Sequence, residues 1–64
     1  MFETDEEQEM LYTLSVNLEY FEKEMKRASA FYQYGKRADD YSGIAKMLRY
    51  TCSLVRKRLD EMKE

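Results

Sequence analysis

Apolar residues recur along the first half of this chain at alternating steps of three and four, and this pattern constrains the fold more than any other feature. The repeat runs through Leu11, Leu14, Leu18, Phe21, Met25, Ala28 and Tyr32. The sequence contains no proline to interrupt it. Such spacing places one apolar seam along an α-helix, as in a coiled coil. The sequence therefore predicts an all-α protein held together by helix–helix packing.

The first helix is predicted to run from about residue 4 to 34. Thr4 can cap its start, because Glu7 follows three residues later and completes a capping box. Gly35 is expected to end it, since glycine tolerates the left-handed conformation. The segment 35–43 holds both glycines of the chain and several short polar residues, which is typical of a turn.

A second helix is predicted from about residue 40 to 62. Its apolar positions are Ile44, Met47, Leu48, Thr51, Leu54, Val55, Leu59 and Met62. Two helices of similar length joined by a short polar turn indicate an antiparallel hairpin, so residues 1–64 form a single helical domain. The predicted core consists of Leu11, Leu14, Leu18, Phe21, Met25, Leu48, Val55 and Leu59.

The size of the chain points to self-association. With 64 residues, it is near the lower limit for a self-sufficient core. A single cysteine excludes an internal disulfide, and the absence of histidine makes a structural zinc site unfavourable. We therefore expect a homodimer or a larger oligomer, with two hairpins packed as a four-helix bundle. The sequence does not choose between dimer and tetramer.

Cysteine content and hydropathy suggest a compartment. A secreted domain this small would normally be rich in disulfides, whereas this chain has only Cys52. The acidic N-terminus lacks the apolar stretch of a signal peptide, and no segment approaches the roughly 20 apolar residues that cross a bilayer. A cytoplasmic protein without a membrane partner is expected.

Charge is distributed unevenly along the chain. Residues 1–22 contain seven acidic residues and no basic one, whereas residues 23–64 contain all 11 basic residues and six acidic ones. This polarity suits antiparallel self-pairing or separate acidic and basic contact surfaces. It also fits a helix whose N-terminal acids complement its dipole.

A second apolar strip on the first helix is a candidate contact surface. Tyr12, Val16 and Tyr20 recur every four residues, and a hairpin needs only one apolar stripe per helix. Tyrosine is favoured at interfaces because it offers a large contact area at low entropy cost. This strip is expected to meet a second copy, another protein or water.

Aromatic residues also gather near the predicted bend. They are Phe31, Tyr32, Tyr34 and Tyr41, with Lys36 and Arg37 between them. Aromatic and basic side chains together can bind an anionic partner such as single-stranded nucleic acid. Alternatively, the same aromatic side chains close the end of the bundle.

Residues 44–59 offer a different interpretation. The stretch IAKMLRYTCSLVRKRL resembles the helix-turn-helix of bacterial regulators, an Ile-Ala-x-x-Leu helix followed by a capped recognition helix. The resemblance implies that Ala45 packs between the two helices and that Thr51 caps the second. It places Ser53, Arg56 and Lys57 in the major groove. Arg49 stands where that family has glycine, and the same residues also fit one continuous helix with a basic, solvated face.

The sequence offers little support for catalysis. It has no histidine and no glycine-rich phosphate loop, and Cys52 lies on an apolar side where a thiol is inert. No enzyme activity, cofactor or metal is expected. The leading interpretation is a small, non-catalytic intracellular interaction module or regulator that works as a homo-oligomeric bundle, of a kind expected from a phage or mobile element.

Two alternatives remain open. One is a helix-turn-helix-like DNA-binding regulator that uses residues 44–59, and the other is a purely structural oligomerisation element. Expected partners are a second copy and another protein, with nucleic acid less favoured. The candidate contact residues are Tyr12, Val16, Tyr20, Arg49, Arg56 and Lys57.

Overall fold

The protein is an antiparallel helical hairpin, as the sequence predicts. A computed structural model describes residues 2–63, and the side chains of residues 5–63. Helix α1 spans Phe2–Tyr32 and helix α2 spans Lys36–Met62. The two helices pack against each other and form a rod with principal extents of 49 × 14 × 11 Å. The side chain of Thr4, the predicted cap, lies outside the described residues.

The connection is shorter than predicted, because only Gln33, Tyr34 and Gly35 separate the helices. Gln33 takes the left-handed conformation (φ 63°), and its N–H donates to the Ser29 carbonyl at 3.0 Å. Gly35 (φ 95°) instead caps α2, where its carbonyl accepts the Asp39 N–H at 3.1 Å. The prediction that Gly35 ends α1 was therefore wrong.

The predicted turn through residues 35–43 was also wrong, because α2 already begins at Lys36. Ala38 is buried and Tyr41 is half-buried against α1. Packing of this first part of α2 outweighs the local turn preference of its polar residues. Gly43 lies inside the helix, and a Cβ atom there would meet open space.

The two helices meet along a seam that follows one heptad on each helix. The seam of α2 contains Ala38, Tyr41, Ala45, Leu48, Cys52, Val55, Leu59 and Met62. The seam of α1 contains Gln8, Leu11, Ser15, Leu18, Glu22, Met25 and Ser29. Every one of these residues is buried or half-buried. The seam is thus an antiparallel coiled coil built partly from small residues.

Two of the predicted core residues, Leu14 and Phe21, lie outside the seam of the single hairpin. Leu14 and Phe21 are 41% and 50% exposed, whereas Ser15 is only 4% exposed. The reason is that two overlapping heptads share Leu11, Leu18 and Met25, and apolar spacing alone does not show which intervening residues face the partner helix. The other predicted core residues, Leu11, Leu18, Met25, Leu48, Val55 and Leu59, do lie in the seam.

Small side chains in the seam contact the backbone of the opposite helix directly. The Ser29 hydroxyl donates to the Ala38 carbonyl at 2.8 Å, and the Cys52 thiol donates to the Ser15 carbonyl at 3.6 Å. The cost is a thin core, since none of the large side chains among the described residues is completely buried. No helix in the described range is long and apolar enough to cross a membrane.

Candidate interaction surfaces

The most prominent surface is a stripe of large apolar side chains on one side of the hairpin. We call it the apolar face. It contains Met10, Leu14, Phe21, Ala28 and Phe31 from α1, and Ile44, Met47, Thr51 and Leu54 from α2. Among its exposed large apolar side chains, the exposed fraction ranges from 41% for Leu14 to 78% for Phe31. Asn17 and Glu24 lie on the α1 part of this stripe at the same spacing, and exposed apolar surface of this size marks interaction sites.

An ion pair indicates that both helices contribute to the same side. Arg58 contacts Glu7 at 3.3 Å across the seam. Glu7 lies seven residues before Leu14, and Arg58 lies seven residues after Thr51, so each shares a helix stripe with the apolar face. The Glu7–Arg58 pair therefore marks one end of that face.

The opposite side of the hairpin is more polar and holds a shallow open groove. Tyr12, Val16 and Arg56 line it together with Asp60 and other polar side chains. Glu19 pairs with Arg56 across the seam, and this hydrogen bond raises the pKa of Arg56 above its ordinary value. We call this side the polar face.

All six predicted contact residues are exposed, but the structure does not bring all of them together. Tyr12, Val16 and Arg56 meet at the groove. Arg49 lies on the same stripe as Arg56, seven residues earlier. Tyr20 packs edge-on against Phe21, with ring centroids 5.7 Å apart.

Residues 44–59 form one uninterrupted stretch of α2, so the turn that a helix-turn-helix requires at Arg49 is not formed. Among the described residues, Gln33 is the only non-glycine residue with positive φ. Ala45 is buried against α1, and Thr51 lies exposed in the middle of the helix. The roles that the resemblance implied for these two residues are therefore not fulfilled.

The aromatic cluster at the bend divides into two parts. Tyr32 stacks on Tyr41 with ring centroids 5.8 Å apart, and the Arg37 guanidinium lies 5.3 Å from the Tyr32 centroid. Phe31 and Tyr34 project outward, with exposed fractions of 78% and 86%. One pair of rings thus closes the end of the seam while Phe31 extends the apolar face.

Sequence reasoning missed the contribution of Ile44 and Leu54 to this outer surface. Both were assigned to the apolar side of the second helix, but they are 42% and 49% exposed. The number of apolar residues could have revealed this surface, because α2 carries more apolar positions than one seam uses. Within the described part of the chain, no three His, Cys, Asp or Glu side chains gather where they could hold a metal ion.

Comparison with known proteins gave no match to a family model, to a curated protein or to a solved structure.

Proposed function

We propose that this protein is a non-catalytic interaction module that works as a helical homo-oligomer, and that the apolar face is its assembly surface. The exposure of Leu14, Phe21, Ile44 and Leu54 on one side of the hairpin carries this proposal. Leaving such side chains in water is unfavourable, and covering them yields roughly 25 cal/mol per Å² of apolar surface.

The surface area supports the same proposal. The accessible surface of the hairpin is 5444 Å². A compact monomer of 7.8 kDa would expose about 4,400 Å². The excess of roughly 1,000 Å² is comparable to the roughly 800 Å² that each partner buries in a typical stable interface.

The elongated shape of the molecule also indicates that the hairpin exposes more surface than a compact monomer. The Cα radius of gyration is 14.7 Å, against about 11 Å expected for a compact domain of this length. A rod that is only two helices thick shields little of its core from water. A second layer of helices would supply the missing shielding.

The polar face supports an interaction beyond assembly. Tyr12, Val16 and Arg56 line a groove on the side opposite the apolar face, so they stay accessible when that face is covered. A second protein would contact this groove. The buried free thiol of Cys52 favours a reducing compartment such as the cytoplasm for this activity.

The DNA-binding alternative would need another geometry. Arg49, Arg56 and Lys57 lie on one straight helix, and Arg56 is already paired with Glu19. Such binding would depend on salt-sensitive contacts to phosphates rather than on a recognition helix. The sedimentation experiment described next tests this alternative together with the proposed function.

Sedimentation velocity with a fluorescent DNA duplex at low salt tests both ideas. We expect the wild-type chain to sediment as an oligomer while the duplex sediments alone. Leu14→Lys with Leu54→Lys places two charges in the apolar face and should give a monomer. The matched control, Tyr12→Lys with Val16→Lys, changes the polar face and should keep the oligomer.

A monomeric wild-type chain at all accessible concentrations would overturn the proposed function. Co-sedimentation of the duplex with the protein, reversed by added salt, would favour the DNA-binding alternative. A circular dichroism spectrum of each variant separates loss of assembly from loss of helix.

A further inference from the structure

We propose that the groove on the polar face binds a basic amphipathic helix of another protein. This inference rests on the proposed function and names the chemistry of the partner that the polar face takes. The groove combines an apolar centre with an excess of negative charge. It lies on the side of the hairpin opposite the apolar face, so both surfaces can be occupied at once.

The centre of the groove is apolar. Tyr12 and Val16 lie one turn apart on α1, and they are 64% and 46% exposed. Leu59 lines the same groove from α2 and is half-buried. A leucine or methionine side chain of a partner would displace water from these three residues, and such apolar contacts supply most of the affinity in helix-in-groove recognition.

The charged side chains that line the groove are mostly acidic. Among those the structure describes, four are acidic and two are basic: Asp5, Glu9, Glu19 and Asp60 against Arg56 and Lys63. Both cations already have a partner, because Arg56 pairs with Glu19 and Lys63 lies 4.0 Å from Asp60. Within residues 5–63, no basic side chain forms an ion pair with Asp5 or Glu9. These two carboxylates therefore carry the excess negative charge.

Asp5 and Glu9 also repel each other. They lie four residues apart on one side of α1, and like charges at this spacing disfavour a helix. The first 22 residues contain no lysine or arginine that could stand between them. A partner cation beside the two carboxylates would relieve this repulsion and attract both groups. The groove thus favours a basic partner and disfavours nucleic acid, whose phosphates carry the same sign of charge.

The shape of the groove favours a helical partner. Its lining on α1 runs from Asp5 to Glu19, a rise of about 21 Å or four helical turns. The groove lies between two packed helices, where the side chains of a third helix can insert. A helix of about 14 residues would place its apolar stripe on Tyr12 and Val16 and its basic side chains beside Asp5 and Glu9.

Fluorescence anisotropy with labelled synthetic peptides tests the chemistry of the partner. The probe is an amphipathic helix of about 14 residues made of leucine and lysine, and the matched control carries glutamate in place of every lysine. We expect the lysine peptide to bind the wild-type chain and the glutamate peptide to stay free. Added salt should weaken the binding, because it screens exposed charges.

Two double variants locate the binding site. Tyr12→Lys with Val16→Lys changes the centre of the groove and should abolish binding of the lysine peptide. Leu14→Lys with Leu54→Lys changes the apolar face and should leave peptide binding intact, although it should prevent assembly. A circular dichroism spectrum of each variant confirms that the helices are retained.

A second pair of double variants separates the groove from net charge. Asp5→Asn with Glu9→Gln removes two charges in the groove and should weaken peptide binding by about 2- to 10-fold. Asp39→Asn with Asp40→Asn removes two charges near the start of α2 and should change the binding little. Equal losses in the two variants, or equal binding of the two peptides, would overturn the inference.

The remaining outcomes separate this inference from the proposed function. Loss of peptide binding only in Leu14→Lys with Leu54→Lys would place the peptide on the apolar face and overturn the inference. If Tyr12→Lys with Val16→Lys sediments as a monomer, a second copy covers the groove, which also overturns it. An oligomeric wild-type chain that binds neither peptide overturns the inference alone. A monomeric wild-type chain that binds the lysine peptide overturns only the proposed assembly.

Discussion

The seam and the apolar face of this hairpin differ in their smallest side chains. The seam between the helices includes Ser15, Ala38, Ala45 and Cys52, which are at most 5% exposed, beside larger residues such as Leu18. The apolar face carries large side chains, such as Leu14 and Phe21, which are about half exposed. The small seam residues let each helix contact the backbone of the other, and several large apolar side chains on the apolar face stay available for a partner.

The difference teaches that two stripes of one helix can look alike in sequence and act differently. Leu14 and Leu18 are one helical turn apart, yet Leu18 is 8% exposed and Leu14 is 41% exposed. The seam determines whether one chain forms a hairpin, and the apolar face determines what that hairpin meets. A substitution can therefore perturb the seam without perturbing the apolar face, or the reverse.

The largest expected effect comes from truncating these two leucines in turn. Leu18→Ala removes a buried side chain and should lower the free energy of unfolding by about 2–5 kcal/mol at every protein concentration. Leu14→Ala should act mainly through assembly, so its effect should grow with protein concentration. Urea unfolding at two concentrations, followed by circular dichroism, measures both. Equal, concentration-independent losses would show that the two stripes do not differ in role.

Overfilling the seam should have the next largest effect. Ala45 is 3% exposed against α1, so Ala45→Leu forces the helices apart and should lower the free energy of unfolding by about 1–3 kcal/mol. The matched change Ala30→Leu, on an exposed position of α1, should cost little. Thermal unfolding of both variants makes the comparison. A harmless Ala45→Leu would mean that the helices do not approach closely there.

Removing a hydrogen bond across the seam should have a smaller effect. The Ser29 hydroxyl donates to the Ala38 carbonyl on the other helix, and Ser29→Ala should therefore lower the free energy of unfolding by about 1 kcal/mol. Ser53→Ala is the control, since that exposed hydroxyl donates only within its own helix, to Arg49. If the two variants unfold alike, the Ser29 bond does not hold the helices together.

The smallest effect is a gain in stability at a site outside both stripes. Gly43 lies within α2, and a Cβ atom there would meet nothing within 4 Å. Gly43→Ala should raise the free energy of unfolding by about 0.5–1 kcal/mol, because alanine favours the helix and disfavours the unfolded chain. Dimer affinity should stay unchanged in sedimentation. A loss of affinity would place Gly43 inside an interface.

The fold was largely predictable, because helix spacing in both halves and the short polar link leave few alternatives to a hairpin. The rotation of α1 about its own axis, which decides the residues that face α2, was not predictable. Its two heptads share Leu11, Leu18 and Met25, and choosing between them requires knowing that Ala38, Ala45 and Cys52 on α2 favour a small partner such as Ser15. That information lies in the pairing of the helices and not in either helix alone.

The candidate surfaces were predictable only in part. Tyr12 and Val16 followed from their spacing, and both line the groove of the polar face. The apolar face was hidden because Leu14 and Phe21 had been placed in the core. Arg49 remained ambiguous over so short a stretch until the continuous helix of residues 36–62 gave its position.

The thiol of Cys52 offers a consequence for dynamics. It is 4% exposed and held between the helices, where it donates to the Ser15 carbonyl. An alkylating reagent can reach it only during moments when the hairpin opens, so the rate of alkylation reports the opening equilibrium of the seam. The alkylation rate of Cys52 therefore measures how often the two helices separate, and this rate should fall when a partner covers the hairpin.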